Sequence, residues 1–164
     1  MKYKSELSES EALHKAAAYC STSEHCLSEV SDKLTSWGVD QDAQERILKR
    51  LIDERFVDDS RFAEAYVKDK FRFNQWGRIK IRIMLQQKKV NSLLIDDAME
   101  LIDDADYRET LLSILQQKRK SLKDKDPQQL KAKLYRFAAS RGFESDVIFK
   151  VVPKIVGNVS DDME

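Results

Sequence analysis

The chain has 164 residues and equal numbers of basic and acidic side chains, 29 of each, so its formal net charge is zero. This balance excludes a strongly basic or strongly acidic protein, and any charge that serves binding must therefore be local. Only 4 Gly and 2 Pro occur, and 35% of the residues are charged. Such a composition favours helices joined by short connectors over a β-rich fold.

Targeting and redox signals are few. Cys20 and Cys26 are too few and too close for a disulfide framework, so we expect reduced thiols. The first ten residues, MKYKSELSES, lack the apolar segment of a secretory signal, and no run of about 18 apolar residues occurs. We expect a cytoplasmic protein without a membrane span.

An internal repeat organises the chain. The segments beginning at Gly38, Lys89 and Gly142 align at spacings of 51 and 53 residues. Each has an apolar helix before the turn and, after it, a helix with apolar residues at i and i+4. The aligned apolar positions are Val30, Ile81 and Leu134; Leu34, Leu85 and Ala138; Ile47, Ala98 and Val151; and Leu51, Ile102 and Ile155.

A further helical stretch precedes each of these pairs, at about residues 8–19, 60–73 and 107–120. We therefore predict an all-α protein of three tandem three-helix repeats in an elongated, slightly curved array. The expected segments are 1–57 for the first repeat with an N-terminal extension, 58–104 for the second, 105–156 for the third and 157–164 for a flexible acidic tail.

Helix start signals support these boundaries. Asp40 and Asn91 stand where the last helix of the first two repeats should begin, while Glu144 is a weaker cap in the third. The stretch 21–24, Ser-Thr-Ser-Glu, predicts a capping box at the start of the second helix. Asp126 followed by Pro127 predicts another helix start.

The decapeptide WGRIKIRIML at 76–85 alternates charged and β-branched residues, which taken alone resembles a strand. Its place in the repeat predicts a helix instead, with Ile81 and Leu85 on one face and Ile79 and Ile83 on another. The second apolar face either packs against a neighbour or stays exposed.

Charge is segregated along the chain. Residues 66–90 hold eight basic residues against Asp69 alone, interleaved with aromatic residues, and residues 116–141 are also strongly basic. Residues 96–109 between them are acidic. Basic and aromatic side chains together can bind phosphates and stack on bases, although they can equally form solvated helix faces and a core. Alternating segments also suit a partner surface of alternating sign.

From these stretches we take twelve residues as candidates for contact with a partner protein or with DNA. They are Lys68, Arg72, Trp76, Arg78, Lys80, Arg82, Lys88, Lys89, Lys118, Arg119, Arg136 and Arg141.

Catalytic signals are missing from the sequence. His14, Cys20, His25 and Cys26 match no zinc spacing, and there is no glycine-rich phosphate loop and no nucleophile beside a general base. We therefore expect no catalytic residues, no metal and no cofactor. Helical repeats usually present binding surfaces, so binding is the expected activity.

The second repeat carries the motifs of a known family. Asp58-Asp59-Ser60-Arg61-Phe62-Ala63, then Gly77-Arg78-Ile79, and finally Arg141-Gly142-Phe143 in the third repeat, make the chain resemble the RecX family of bacterial regulators of the RecA recombinase. Arg55 and Lys89 stand where that family usually has glycine. Residues expected to be structural are Asp58, Asp59, Arg61, Phe62, Ala63, Gly77, Leu85 and Gly142.

The resemblance implies a non-enzymatic regulator that sits in the groove of the RecA filament on single-stranded DNA, and we expect a monomer. It also implies restraint of strand exchange, ATP hydrolysis and coprotease action, in recombination, DNA repair and the SOS response. Single-stranded DNA would be contacted directly or through the filament. The alternative is a DNA-binding helical-repeat module that acts independently of RecA.

Overall fold

The computed structural model describes residues 7–157, and these form nine α-helices and a final 3-10 turn without any β-strand. The predicted tail at 157–164 lies outside the described residues except for Gly157, as does the start of the N-terminal extension. The helices are α1 (Glu9–Thr22), α2 (Leu27–Ser36), α3 (Gln41–Asp53), α4 (Asp59–Arg72), α5 (Arg78–Gln87), α6 (Ser92–Met99), α7 (Asp104–Ser121), α8 (Pro127–Ser140) and α9 (Ser145–Val151), followed by the turn Val152–Lys154. The predicted all-α fold of three helix triplets is confirmed.

The described residues fall into two compact units. The first comprises residues 7–65 and Leu85–Ala98, and the second comprises Tyr66–Met84 and residues 99–157. Helices α1, α2 and α3 pack against one another in the first unit, and α7, α8 and α9 do so in the second. Helices α4 and α5 each contribute residues to both units.

The repeat positions form the core. Val30, Ile81 and Leu134 are each 0% exposed, and so are Leu34, Leu85 and Ala138. Equivalent positions are therefore buried in all three triplets because the apolar residues recur at helical spacing. The match ends at Ile155, which lies beyond α9 and is only half-buried.

Most helix starts follow the predicted side chains. Asp40 accepts a hydrogen bond from the amide of Ala43 at 2.8 Å, and Asn91 accepts one from Leu93 at 2.8 Å. Asp126 caps α8, with Pro127 as its first residue. These carboxylate and amide oxygens satisfy amides that have no partner within the helix.

The capping box predicted at residues 21–24 is wrong. α1 extends to Thr22 and ends within this stretch, and the hydroxyl groups of Ser21 and Thr22 donate back to the carbonyls of Ala17 and Tyr19 at 2.9 and 2.7 Å. Serine and threonine satisfy their hydroxyl groups within a helix in this way, so their presence alone does not fix a start. α2 begins after Cys26, whose amide donates to Glu29, three residues further on, at 3.1 Å.

The decapeptide is helical, as predicted, and its two apolar faces differ. Ile81 and Leu85 are fully buried, whereas Ile79 and Ile83 are each 46% exposed. The second apolar face, formed by Ile79 and Ile83, is therefore partly exposed to solvent. The local alternation reflects two helix faces rather than two faces of a sheet.

The Asp-Asp pair caps two different helices in the first unit. Asp58 accepts from the amide of Arg61 at 3.1 Å and caps α4. Asp59 accepts from the amide of Leu27 at 2.8 Å, at the start of α2. Burial raises the pKa of Asp59, although this hydrogen bond works in the opposite direction. One motif therefore fixes two helix starts.

Arg61 of the same motif contacts two segments that connect helices, the one between α1 and α2 and the one between α3 and α4. Its guanidinium pairs with Glu24, in the segment between α1 and α2, and donates to the carbonyls of Arg55 and Phe56 at 3.3 and 3.4 Å. Phe62 and Ala63 beside it are buried. The motif is therefore structural in this unit.

The turns at Arg55 and at Lys89, like the one at Gln75, adopt a left-handed conformation without glycine. Arg55 and Lys89 each have a φ of 62°. At the turn of Lys89 the amide of Val90 donates to the carbonyl of Leu85 at 3.2 Å, so α5 ends in a tight, hydrogen-bonded cap. The left-handed conformation costs an ordinary residue about 1 to 2 kcal/mol relative to glycine.

Lys89→Gly is expected to stabilise the first unit by about 1 kcal/mol, because glycine adopts this φ without a clash. The midpoint of urea denaturation measures the effect. Gln86→Gly, an exposed position inside α5, is the control and should destabilise by about 1 kcal/mol. Destabilisation by both substitutions would contradict the strain assigned to Lys89.

Candidate functional site

Two glycines bring the start of α5 against the turn after α8 in the second unit. The amide of Gly77 donates to the carbonyl of Arg141 at 2.7 Å, and the amide of Ile79 donates to the carbonyl of Gly142 at 2.9 Å. A Cβ atom on Gly77 would lie 2.3 Å from the backbone of Gly142, which itself has a φ of +93°. Neither position has room for a side chain, so the Gly-Arg-Ile and Arg-Gly-Phe motifs meet backbone to backbone.

A buried tyrosine completes this junction. The amide of Arg78 donates to the hydroxyl oxygen of Tyr107 at 2.8 Å, and that hydroxyl donates to Glu144. Burial, and then the hydrogen bond to Glu144, raise the pKa of Tyr107. Because Glu144 is engaged here, its side chain does not cap α9.

Arg78 is held inside the junction. Its guanidinium pairs with Glu144 at 3.1 Å and Asp104 at 2.6 Å, and lies 3.9 Å from the centre of the Tyr107 ring. Burial lowers the pKa of Arg78, but Glu144 and Asp104 outweigh it and keep the pKa above its usual value. The side chain is only 25% exposed, so Arg78, one of the candidates for contact with a partner, already has two acidic partners within the fold.

Arg78→Glu is expected to destabilise the second unit by about 3 kcal/mol, because it removes two ion pairs and places a third carboxylate beside them. Thermal denaturation followed by circular dichroism measures the loss. Arg136→Glu, the same change at an exposed position of α8, should cost less than about 0.5 kcal/mol. Equal losses would show that the ion pairs of Arg78 do not stabilise the fold.

Trp76 lies between two lysines near this junction. The ammonium groups of Lys70 and Lys80 lie 5.0 and 4.6 Å from the centre of its ring, and Lys70 also lies 5.3 Å from the ring of Tyr66. Cation–π contacts of this kind hold long side chains in place while the charged ends keep part of their exposure. Lys70 and Lys80 are both half-buried.

A second group consists of Lys118, Arg141 and the ring of Phe137, and it contacts the backbone just before Trp76. The guanidinium of Arg141 donates to the carbonyls of Asn74 and Gln75, and lies 5.8 Å from the ring of Phe137. Lys118 lies 4.9 Å from the same ring. Lys70, Trp76, Lys80, Lys118, Phe137 and Arg141 together form what we call the basic–aromatic surface.

Four other candidates of the second unit lie elsewhere on it. Lys68 and Arg72 line an open cleft of about 490 Å³ that also includes Asp106 and Glu109, so acidic side chains stand opposite the basic ones. Arg136 is exposed on α8, and Arg119 is half-buried on α7. These four residues thus lie outside the basic–aromatic surface as defined.

The remaining candidates are Arg82, half-buried on α5, and Lys88 and Lys89, which belong to the first unit. The ammonium group of Lys88 pairs with Glu29 at 3.0 Å. Burial raises the pKa of Glu29, but Lys88 and the amide of Cys26 outweigh it and keep that pKa below its usual value. Lys88 therefore already has an internal partner.

Four residues of the basic–aromatic surface are among the candidates predicted from the sequence, whereas Lys70 and Phe137 are not. Both could have been found from spacing. Lys70 follows Tyr66 by four residues on α4, and Phe137 precedes Arg141 by four, which places each pair on one side of its helix.

The histidine and cysteine cluster near the N-terminus is accounted for by packing. Cys20 and Cys26 are free and buried, and burial raises the pKa of both thiols. His25 stacks on Tyr19 with ring centres 3.8 Å apart. Within residues 7–157 no group of three or more metal-ligating side chains could hold an ion. No helix in that range has the length and apolar character to cross a membrane.

Comparisons with known proteins identify the family. Residues 58–99 match the model of the second three-helix domain of RecX, and residues 105–152 match that of the third. Regulatory protein RecX of Chlorobaculum tepidum is 30% identical over 92% of this chain and 92% of its own length. Regulatory protein RecX of Clostridium botulinum (strain Eklund 17B / Type B) is 35% identical over 78% of this chain, which spans 60% of that relative.

The fold agrees with solved structures. The crystal structure of RecX from Lactobacillus salivarius superposes with a TM-score of 0.81 at 24% identity, covering 90% of this chain and 96% of that one. A further crystal structure of regulatory protein RecX gives a TM-score of 0.78 at 23% identity, with 87% and 73% covered. On the matched helix triplets and the similarity to the Chlorobaculum relative over 92% of each chain, this chain belongs to the RecX family of regulatory proteins.

Proposed function

We propose that this protein binds the RecA filament on single-stranded DNA and restrains strand exchange, ATP hydrolysis and coprotease action. Membership of the RecX family of regulatory proteins is the observation that carries the proposal. The protein would act in the cytoplasm as a monomer, by binding rather than by chemistry.

The second unit offers a physical basis for such binding. Its basic–aromatic surface presents four cations, held by aromatic rings and backbone carbonyls rather than by acidic partners. Cations of this kind remain able to meet phosphates or acidic side chains of a partner. Because a filament repeats along its length, several weak contacts from one chain can add up to a durable complex.

The test is a titration of the protein into RecA assembled on single-stranded DNA, with ATP hydrolysis as the readout. We expect hydrolysis to fall as the protein approaches the concentration of RecA. A DNA-dependent ATPase unrelated to RecA, on the same DNA, is the control and should keep its rate. Unchanged hydrolysis by RecA at stoichiometric excess would refute the proposal.

The basic–aromatic surface also supports a second candidate, a DNA-binding module that acts without RecA. Its affinity for bare single-stranded DNA should fall steeply with salt, with a logarithmic slope of roughly −0.7 per phosphate neutralised. Fluorescence anisotropy of a labelled oligonucleotide measures this slope. Equal inhibition of RecA and of the unrelated ATPase would favour this candidate over the first.

A further inference from the structure

The second unit has another surface feature, a groove. It lies between α8 on one side and α9 with the following 3-10 turn on the other. The groove has a volume of about 600 Å³, and its lining includes Lys131, Tyr135, Arg136, Phe149, Val152 and Pro153. None of these residues takes part in the basic–aromatic surface. A volume of this size accommodates a large side chain together with its flanking backbone.

The apolar part of the groove is exposed to an unusual degree. Phe149 is 66% exposed, although it is the largest apolar side chain of α9. Its ring is tilted by 35° against that of Tyr135, with centres 5.0 Å apart, so the two rings form one wall. Ala132, which is exposed, and Pro153, which is half-buried, add aliphatic surface beside them, whereas Val152 is buried. Aromatic residues exposed at the edge of an apolar groove are typical anchor points of protein interfaces.

The charged side chains that line the groove are all basic. Lys131 and Arg136 line it, while its described lining includes no acidic residue. Both are cationic side chains for which the structure shows no ion pair, unlike Arg78 or Lys88. A ligand that fills the apolar wall would therefore meet uncompensated positive charge at the rim.

We propose that this groove docks a short acidic segment of a partner protein that carries one large apolar side chain. The apolar side chain would pack on Tyr135 and Phe149, and the flanking carboxylates would pair with Lys131 and Arg136. A single-stranded nucleic acid fits less well, because its bases could stack on the two rings but would leave the aliphatic surface of Ala132 and Pro153 without an apolar partner. The proposal goes beyond regulation of RecA and does not depend on it.

The experiment uses the full chain and a fluorescein-labelled synthetic peptide of Asp and Glu residues around one central Phe, with neither RecA nor DNA present. Binding is followed by fluorescence anisotropy. Two matched peptides serve as controls, one with Ala in place of Phe and one with Lys in place of the acidic residues. We expect the acidic Phe peptide to bind at least tenfold more tightly than either.

Variants of the protein locate the site. Phe149→Ala and Arg136→Glu should each weaken binding of the acidic Phe peptide about tenfold. Phe73→Ala, which removes an aromatic ring that is 75% exposed outside the groove, is the matched control and should leave binding unchanged. Circular dichroism of each variant confirms that the fold is retained.

Three results would overturn the proposal: no binding of the acidic Phe peptide, equal binding of the three peptides, or equal loss with Phe149→Ala and Phe73→Ala. Tighter binding of a single-stranded oligonucleotide, lost with Phe149→Ala, would instead assign the groove to nucleic acid. Inhibition of RecA is a separate measurement, so failure of the peptide experiment leaves the proposed function intact, and the reverse also holds.

Discussion

Gly77→Ala is expected to destabilise the second unit by about 3 kcal/mol, since the added methyl group has no space in which to relax. Its Cβ atom would lie 2.3 Å from the carbonyl carbon of Gly142 and 2.4 Å from the amide of Phe143. Both neighbours are backbone atoms of a hydrogen-bonded turn, so they cannot swing aside as a side chain would. Urea denaturation of the purified variant measures the loss.

The control for this prediction is Gly38→Ala. Gly38 is exposed and has a φ of 78°, so alanine there adds the cost of a left-handed conformation, about 1 to 2 kcal/mol. Gly77 has no left-handed φ, so its cost is steric. Gly142→Ala combines both effects and should be at least as destabilising as Gly77→Ala. A Gly77→Ala protein as stable as the unmodified chain would contradict the close approach of the two motifs.

Lys70→Glu combined with Lys80→Glu is expected to raise the concentration needed to inhibit RecA ATP hydrolysis at least about tenfold. The two substitutions reverse the charge on both sides of Trp76, at the centre of the basic–aromatic surface. Loss of the cation–π contacts should cost the fold only about 1 kcal/mol each. The ATPase titration described above measures the change in inhibition, and circular dichroism verifies the fold.

The matched control carries the same change in charge elsewhere. Lys123 and Lys125 are both exposed in the connection between α7 and α8, away from the aromatic rings. Lys123→Glu combined with Lys125→Glu should therefore inhibit RecA almost as well as the unmodified protein. Equal loss with both double variants would indicate a diffuse effect of net charge rather than contact through the basic–aromatic surface.

The period of apolar residues was sufficient to predict the helices and most of the core. Val30, Ile81 and Leu134 are far apart in sequence but equivalent in the repeat, and all three are fully buried. The same reasoning identified α5 as a helix despite its local alternation. It succeeded because helix formation and burial depend on spacings of three and four residues, which a single sequence displays directly.

The role of individual charges could not be predicted in the same way. Arg78 contacts Asp104 and Glu144, which follow it by 26 and 66 residues, and no local pattern signals such pairs. Asp59 likewise caps α2, 32 residues earlier, rather than its own helix. Charged side chains near the surface take their partners from the tertiary fold, so sequence alone separates internal ion pairs poorly from binding residues.

The most direct test of the proposed function is co-sedimentation with RecA filaments on single-stranded DNA, compared with the same DNA without RecA at the same salt concentration. We expect the protein to pellet with the filaments in much larger amount than with bare DNA, and we expect Lys70→Glu with Lys80→Glu to abolish the difference. Equal sedimentation with filaments and with bare DNA, or none with either, would contradict the proposed function.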